Sequence, residues 1–217
     1  MKAWDDRWRT EEGRALWVEP DPLVASLVPR FKEEGVAAVL DLGFGVGRHV
    51  VLFAREGFDV YGIETSPAGV EYAENWLSDE KLSAHLGLGD MGHLPFPPDT
   101  FDLAIAWNVI YHGTSDRIGD TLGEIRRCLK TDGYFLGTLI STKHASFGVG
   151  VEVEPGTYVN PAEAEKSHPH HYFGREEVHR YLRGFALLEC RDVEQFRPGD
   201  YHWHILARLE SKLQGPG

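Results

Sequence analysis

The chain has 217 residues, 42% of them hydrophobic and 12% aromatic, which is enough to bury one core and too little for two large domains. Thirty-four acidic against 22 basic side chains give a net charge of −12 with no basic stripe, which argues against a nucleic-acid partner. No apolar run of about 18 residues could span a bilayer, and Met1-Lys2-Ala3-Trp4-Asp5-Asp6 lacks the cationic-then-apolar order of a secretion signal. The expectation is a soluble, cytoplasmic protein, monomer or homodimer, without a membrane partner. Cys128 and Cys190 form neither a CxxC pair nor a disulfide framework and read as core thiols.

In chain order, two helical segments come first, Trp4–Trp17 and Pro22–Glu34, the second expected to kink at Pro29. From Ala37 onward, short β-branched runs alternate with amphipathic ones, the pattern of βαβ units. Strands are predicted at 37–43, 59–64, 84–88, 101–107 and 133–140, and helices at Val46–Glu56, Pro67–Leu77 and Asp116–Leu129. In the last helix Ile118, Leu122, Ile125 and Leu129 share one face. The stretch 141–173 breaks the rhythm with three prolines and a histidine cluster, and a loop this long in a compact domain reads as a lid or binding segment. A short helix at Arg175–Arg183 precedes a hairpin of Phe185–Phe196 and Tyr201–Arg208 joined by Arg197-Pro198-Gly199-Asp200. The fold class is α/β: a Rossmann-like three-layer αβα sandwich around a mostly parallel seven-stranded sheet whose last strand is antiparallel. Its parts divide as an N-terminal helical cap (1–36), a cofactor-binding core (37–140), a lid (141–173) and a helix plus hairpin (174–210).

Gly43-Phe44-Gly45-Val46-Gly47 follows the first strand and opens a helix, which places bare backbone at the carboxyl edge of the sheet, where open α/β folds bind ligands. Glycine there permits positive φ and close ligand approach. Glu64, ending the second strand, can accept from both hydroxyls of a ribose, and Asp90 after the third can reach an adenine amino group. A dinucleotide turn needs a small residue at position 48, which here is Arg48. Asp41 before the turn would repel a pyrophosphate and suits an ammonium or sulfonium, so the ligand should be a cationic nucleoside.

The segments "VLDLGFGVGRHV", "VYGIETS", "GDMGHLPFPPDTFDLAIAWNVIYH" and "EIRRCLKTDGYFLGTL" resemble, in order and spacing, the motifs of the class I S-adenosylmethionine-dependent methyltransferases. The closest likeness is to the small-molecule group that includes the tellurite-resistance methyltransferase-like proteins (methyltransferase type 11). The resemblance covers roughly 37–140 well and the hairpin in outline. It implies that Gly43, Gly45 and Gly47 line the methionine part of the cofactor, that Asp41 supports this loop near the amino group, and that Glu64 holds the ribose. It further implies Thr65 flanking the adenine, Asp90 and Met91 at the adenine edge, and Asn108 contacting the methionine through its backbone. Phe44 departs from the Cys or Thr usual in the family, which bears on loop packing. S-adenosylhomocysteine is the implied product.

Methyl transfer needs an aligned nucleophile, exclusion of water and, for a protonated nucleophile, a base; orientation alone can supply ~7–11 kcal/mol of the barrier. Tyr111 and His112 follow the fourth strand, where a histidine is either the base or a cap on a buried carbonyl. Trp4 and Trp8, one helical turn apart, either roof the pocket or merely pack. His168, His170 and His171 in "SHPHHYFGREEV" could bind a metal, polarise an anion or take a proton. The spacing around Pro169 matches no familiar ligand pattern and no carboxylate or cysteine completes it, so no metal is expected. In the resembled group a His-Tyr-Phe stretch borders the substrate, which makes His171 a candidate catalytic residue and Tyr172 and Arg175 candidate substrate contacts; Arg175 could equally pair along its helix. His202 and His204 read as surface or sheet-packing residues, and the acidic run 152–165 as a solvated face. The activity expected is transfer of a methyl group to a small-molecule acceptor. The rivals are a nicotinamide-dependent oxidoreductase, a non-catalytic S-adenosylmethionine-binding regulator and, disfavoured by charge, an RNA methyltransferase.

Overall fold

A computed structural model describes residues 2–210; Met1 and residues 211–217, which the single-domain reading of the whole chain includes, lie outside the described residues. The N-terminal segment is two helices rather than one: α1 (Lys2–Trp8) and α2 (Glu11–Arg14). Thr10 breaks it by capping α2, its hydroxyl accepting from the Gly13 amide at 3.1 Å. Only glycine fits at position 13, because a Cβ there would stand 2.1 Å from the Arg7 carbonyl oxygen. The third helix, α3 (Pro22–Glu33), is capped by Asp21 and runs uninterrupted through Pro29, an exposed position where solvent can take the carbonyl that proline frees.

The core then alternates β1 (Ala38–Leu42), α4 (Arg48–Arg55), β2 (Asp59–Glu64), α5 (Pro67–Asp79), β3 (His85–Leu88), β4 (Phe101–Ala106), α6 (Ser115–Cys128) and β5 (Leu129–Ile140). β1, β4 and the second half of β5 are largely apolar and buried on both faces, as a covered parallel sheet requires, while β3 at the edge is partly exposed. On one face Val39, Val60, Leu103 and Ile105 pack against Val24, Val28 and Phe31 of α3, Val50 and Val51 of α4, and Leu77 of α5. On the other, Leu40, Leu42 and Ala104 pack against Ile118, Leu122 and Ile125 of α6, as the helical spacing predicts.

The segment 141–173 is not structureless. It folds as β6 (Val151–Glu154), β7 (Thr157–Val159), a 3₁₀ turn (Ala164–Lys166) and β8 (His170–His171), the strands making a small antiparallel sheet in the order β6-β7-β8. The acidic run expected as a solvated face is exposed at Glu152 and Glu163, yet it opens as a strand, Val151-Glu152-Val153-Glu154 alternating with period two. Glu154 instead accepts from the Ser115 amide at 2.5 Å and the Thr157 hydroxyl at 2.9 Å, tying this sheet to the start of α6. The chain closes with α7 (Arg175–Tyr181), β9 (Phe185–Glu194) and β10 (Tyr201–Leu209).

The main sheet has the order β3-β2-β1-β4-β5-β10-β9. Pairing is parallel from β3 through β5, and β10 alone runs against its neighbours on both sides. This is the expected Rossmann-like sandwich with an antiparallel last strand. The carboxyl ends of β1, β2 and β4 meet at one edge, the side on which such sheets bind ligands. Among the described residues no helix is long and apolar enough to cross a membrane.

Candidate functional site

At that edge lies a cavity of about 410 Å³, walled by the loops after β1, β2, β3 and β4 and roofed by the N-terminal cap. Its floor is the glycine turn. Gly43, Gly45 and Gly47 have φ of 62°, 59° and 88°, a left-handed backbone that side chains resist. A Cβ at Gly43 would come 2.3 Å from Val109, and one at Gly47 2.7 Å from Ala73. Gly47 is thereby the left-handed N-cap of α4, with no side chain to cap the first amides of that helix.

Phe44 sits among these glycines with its ring turned into the core, buried against Gly62 and Leu86. The departure from Cys or Thr is accommodated by the absence of a side chain at position 62.

Glu64 organises the turn. One carboxylate oxygen accepts from the Gly45 amide at 2.8 Å; the other accepts from the amides of Thr65 (2.7 Å) and Ser66 (2.9 Å) and from the Thr65 hydroxyl (3.2 Å). Asp41 is different. It is buried and one of its oxygens has no hydrogen-bond partner, while burial pushes its carboxyl up to about 8, with Arg48 pulling down and Glu64 adding to the rise. An unsatisfied buried carboxylate facing a cavity is a receptor for a cation. Arg48 has its own partners, the Glu19 carbonyl at 3.2 Å and the Trp17 ring at 5.1 Å.

Gly89, Met91 and Thr65 line the cavity, whereas the Asp90 carboxylate is engaged by Arg117 at 2.7 Å and by the Gly92 amide at 2.7 Å. Asp90 itself is not part of the cavity lining, which Gly89 and Met91 on either side of it form. Asn108 lies at the wall with φ of 60°, its amide donating to Thr138 at 2.7 Å and its own side-chain oxygen accepting from the Thr138 hydroxyl at 3.0 Å. Trp4 and Trp8 do roof the cavity, their rings tilted at 30° with centroids 5.2 Å apart and joined edge-on by Trp17 at 5.9 and 5.8 Å. Asp5 clamps this roof to α5, accepting from the Ser66 hydroxyl (2.8 Å) and the Ala68 amide (3.0 Å); the Ala68 bond first, then Arg9, lowers its carboxyl to about 2.

Of the three candidate catalytic residues only His112 reaches the cavity. Its Nε2 lies 3.2 Å from the Asn108 carbonyl, which only accepts, so Nε2 carries the proton; its Nδ1 lies 3.0 Å from Nε2 of His168. His112 therefore caps a carbonyl, the second of its two expected readings, and its ring borders the cavity. Tyr111 turns away, its buried hydroxyl 3.3 Å from His202. His171 also lies off the cavity. It is buried, its Nδ1 is 2.7 Å from the Thr157 hydroxyl and its Nε2 3.4 Å from Glu177, while burial lowers its basicity. Tyr172 is buried among Phe147, Tyr158 and His144, and Arg175 lies 5.3 Å over the Trp203 ring, so neither expected substrate contact borders the cavity. His202 and His204 pack in the sheet, His202 fully buried beside Asp200.

Sequence reasoning missed Trp17, Arg48, Arg117 and Trp107 as wall residues. Arg48 had a signal, a long cation directly after Gly47 where the loop must face the ligand. His168 and His170 meet His112, which comes from another segment, and one nitrogen from each of the three lies within 4.8 Å of the others.

Residues 39–133 match the family described as the methyltransferase domain. The chain is 29% identical to an uncharacterised methyltransferase of Geobacillus sp. (strain WCH70) over 94 residues, 43% of each protein. It is 36% identical to a sterol 24-C-methyltransferase of Gibberella zeae over 103 residues, 45% of this chain and 26% of that one. It therefore spans less than half the length of these curated relatives. A solved structure of the 1,6-didemethyltoxoflavin-N1-methyltransferase of Burkholderia thailandensis, with its substrate and S-adenosylhomocysteine bound, superposes with a TM-score of 0.70 at 21% identity, covering 96% of this chain and 87% of that one.

Proposed function

We propose, from the premise that residues 39–133 form a methyltransferase domain, that the protein transfers a methyl group from S-adenosylmethionine to a small-molecule acceptor. The observation that carries this is the buried, unpartnered carboxylate oxygen of Asp41 beside three left-handed glycines. A cationic amino acid moiety satisfies it, and a pyrophosphate would be repelled. The bound cofactor supplies a methyl group on a positive sulfur, transferred in line to a nucleophile.

The residues do the rest. Asp41 would take the ammonium and Gly43, Gly45 and Gly47 the methionine chain at close backbone approach. Glu64 keeps lone-pair capacity on the oxygen that holds Gly45, so it can accept a ribose hydroxyl without releasing the turn. Thr65, Gly89 and Met91 would border the adenine. The tryptophan roof excludes water and leaves the space beside His112 for the acceptor. Binding that is stronger in the transition state than in the ground state then comes from alignment. The Burkholderia protein is a methyltransferase of 1,6-didemethyltoxoflavin, and a cavity of about 410 Å³ is of a size for a cofactor with a compact acceptor.

Calorimetry with S-adenosylhomocysteine and, separately, NAD tests the cofactor assignment; micromolar binding of the first and none of the second is expected, and the reverse would point to a nicotinamide enzyme. Release of S-adenosylhomocysteine in the presence of a panel of hydroxyl, amine and thiol acceptors tests turnover.

A further inference from the structure

We propose that His112, His168 and His170 form a binding site for one divalent transition-metal ion of the zinc type, with an open coordination position toward the cavity.

Three imidazole nitrogens lie within 4.8 Å of one another, His112 from the turn after β4, His168 from the approach to β8 and His170 from β8 itself. Nδ1 of His112 and Nε2 of His168 are 3.0 Å apart. Two nitrogens on one tetrahedral ion at zinc–nitrogen lengths of ~2.0–2.1 Å stand about 3.3 Å apart, so only a few tenths of an ångström separate the two arrangements.

The proton positions are set for ligation. Nε2 of His112 donates to the Asn108 carbonyl at 3.2 Å, which leaves the Nδ1 lone pair aimed at the cluster. Nδ1 of His170 donates to the His168 carbonyl at 2.9 Å, which leaves its Nε2 lone pair. A metal-ligating histidine characteristically gives its other N–H to a carbonyl or carboxylate, which fixes ring and tautomer; His112 and His170 both do so here.

The donor set selects the ion. Three neutral imidazoles with no carboxylate disfavour calcium and magnesium and suit zinc, cobalt, nickel or copper. His112 and His168 line the cavity and buried His170 stands behind them, so the fourth position opens to the ligand space. Three protein ligands and one open position is the arrangement of zinc sites that act on a bound oxygen or sulfur. There the ion would take the lone pair of the acceptor's hydroxyl or thiol, whose proton passes to solvent, leaving an anionic nucleophile. Only this use of the open position rests on the methyl-transfer proposal; ion binding stands alone.

The full chain, stripped with a chelator, is titrated with zinc in a calorimeter and with cobalt(II) in the visible spectrum. One ion per chain at micromolar affinity or tighter is expected, with the ligand-field bands of a four-coordinate nitrogen site. His168→Asn, a partly exposed position that should fold, and His112→Asn should each weaken zinc at least tenfold, while His85→Gln on the exposed edge strand β3 leaves it unchanged. Zinc binding no tighter in the parent than in His168→Asn, or lost with His85→Gln, would overturn the site. Thermal melts confirm that each variant is folded. S-adenosylhomocysteine is titrated into the same samples: binding of it without zinc removes the metal site alone, and zinc without it removes the cofactor proposal alone.

Discussion

Phe44 lies so close to Gly62 that a Cβ on the glycine would stand 2.6 Å from the Phe44 ring and 2.8 Å from Leu86. One residue of the cofactor turn is thereby a core residue of the sheet, and the two positions form a unit. Gly62→Ala should cost roughly 1–3 kcal/mol through overpacking. Phe44→Thr in the same chain should return part of that loss. Urea denaturation of the two single variants and the double tests it; strictly additive effects would show that the residues are independent.

Asp41 makes the unliganded protein pH-sensitive. Its carboxyl titrates near 8 in the folded state against 3.8 in a free chain, with burial as the main cause. Between those values the folded state holds a proton that the unfolded state has lost, so stability falls as pH rises from 3.8 toward about 8, by up to about 1.4 kcal/mol per pH unit. Asp41→Asn removes this. The variant should be more stable than the parent without cofactor, by a margin that grows from pH 5 to pH 8, and should bind S-adenosylhomocysteine at least tenfold more weakly. A margin independent of pH would show that Asp41 is ionised without its cation.

Binding should also release that proton. When an ammonium pairs with Asp41 the carboxylate form is favoured, so calorimetry at pH 7 in buffers of different ionisation enthalpy should report close to one proton released per cofactor bound. No buffer dependence would separate Asp41 from the ammonium.

Glu64 has two duties, and two substitutions separate them. Glu64→Ala leaves the buried Ser66 amide and the half-buried Gly45 and Thr65 amides without this acceptor, the buried orphan costing about 1–3 kcal/mol. It should lower both stability and cofactor affinity, the latter by roughly ten- to a hundredfold. Glu64→Gln retains one acceptor oxygen and should keep more of the fold than of the affinity. Equal affinity in parent and Glu64→Gln would leave Glu64 a purely structural residue.

His171 was a catalytic candidate on sequence grounds, and its position predicts otherwise. His171→Ala should destabilise the small sheet by about 1–3 kcal/mol, through the lost Thr157 contact and a cavity, with kcat unchanged below the melting transition. A kcat loss of tenfold or more in folded variant would restore the catalytic role.

How much of this was legible beforehand follows the range of the forces. β1, β2, β4, α6 and the hairpin announce themselves because strand and helix periodicity are local, and the glycine turn because positive φ at three alternate residues is nearly glycine's alone. Asp41 and Glu64 were readable for the same reason: each ends its strand at a fixed distance from that turn. The small sheet of 151–171 was hidden by its glutamates, whose charge masked an alternating pattern. In "SHPHHYF" nothing local says which ring faces the cavity.

The sequence by itself therefore determined the sheet, the bare turn and the acidic strand ends, since these depend on backbone sterics and short spacings. Tertiary structure alone decided that His112 meets His168 and His170, that His171, Tyr172 and Arg175 turn away, and that Trp17 and Arg48 wall the cavity. Those placements come from side-chain packing between segments tens of residues apart, where a single strand register sets which face a ring occupies.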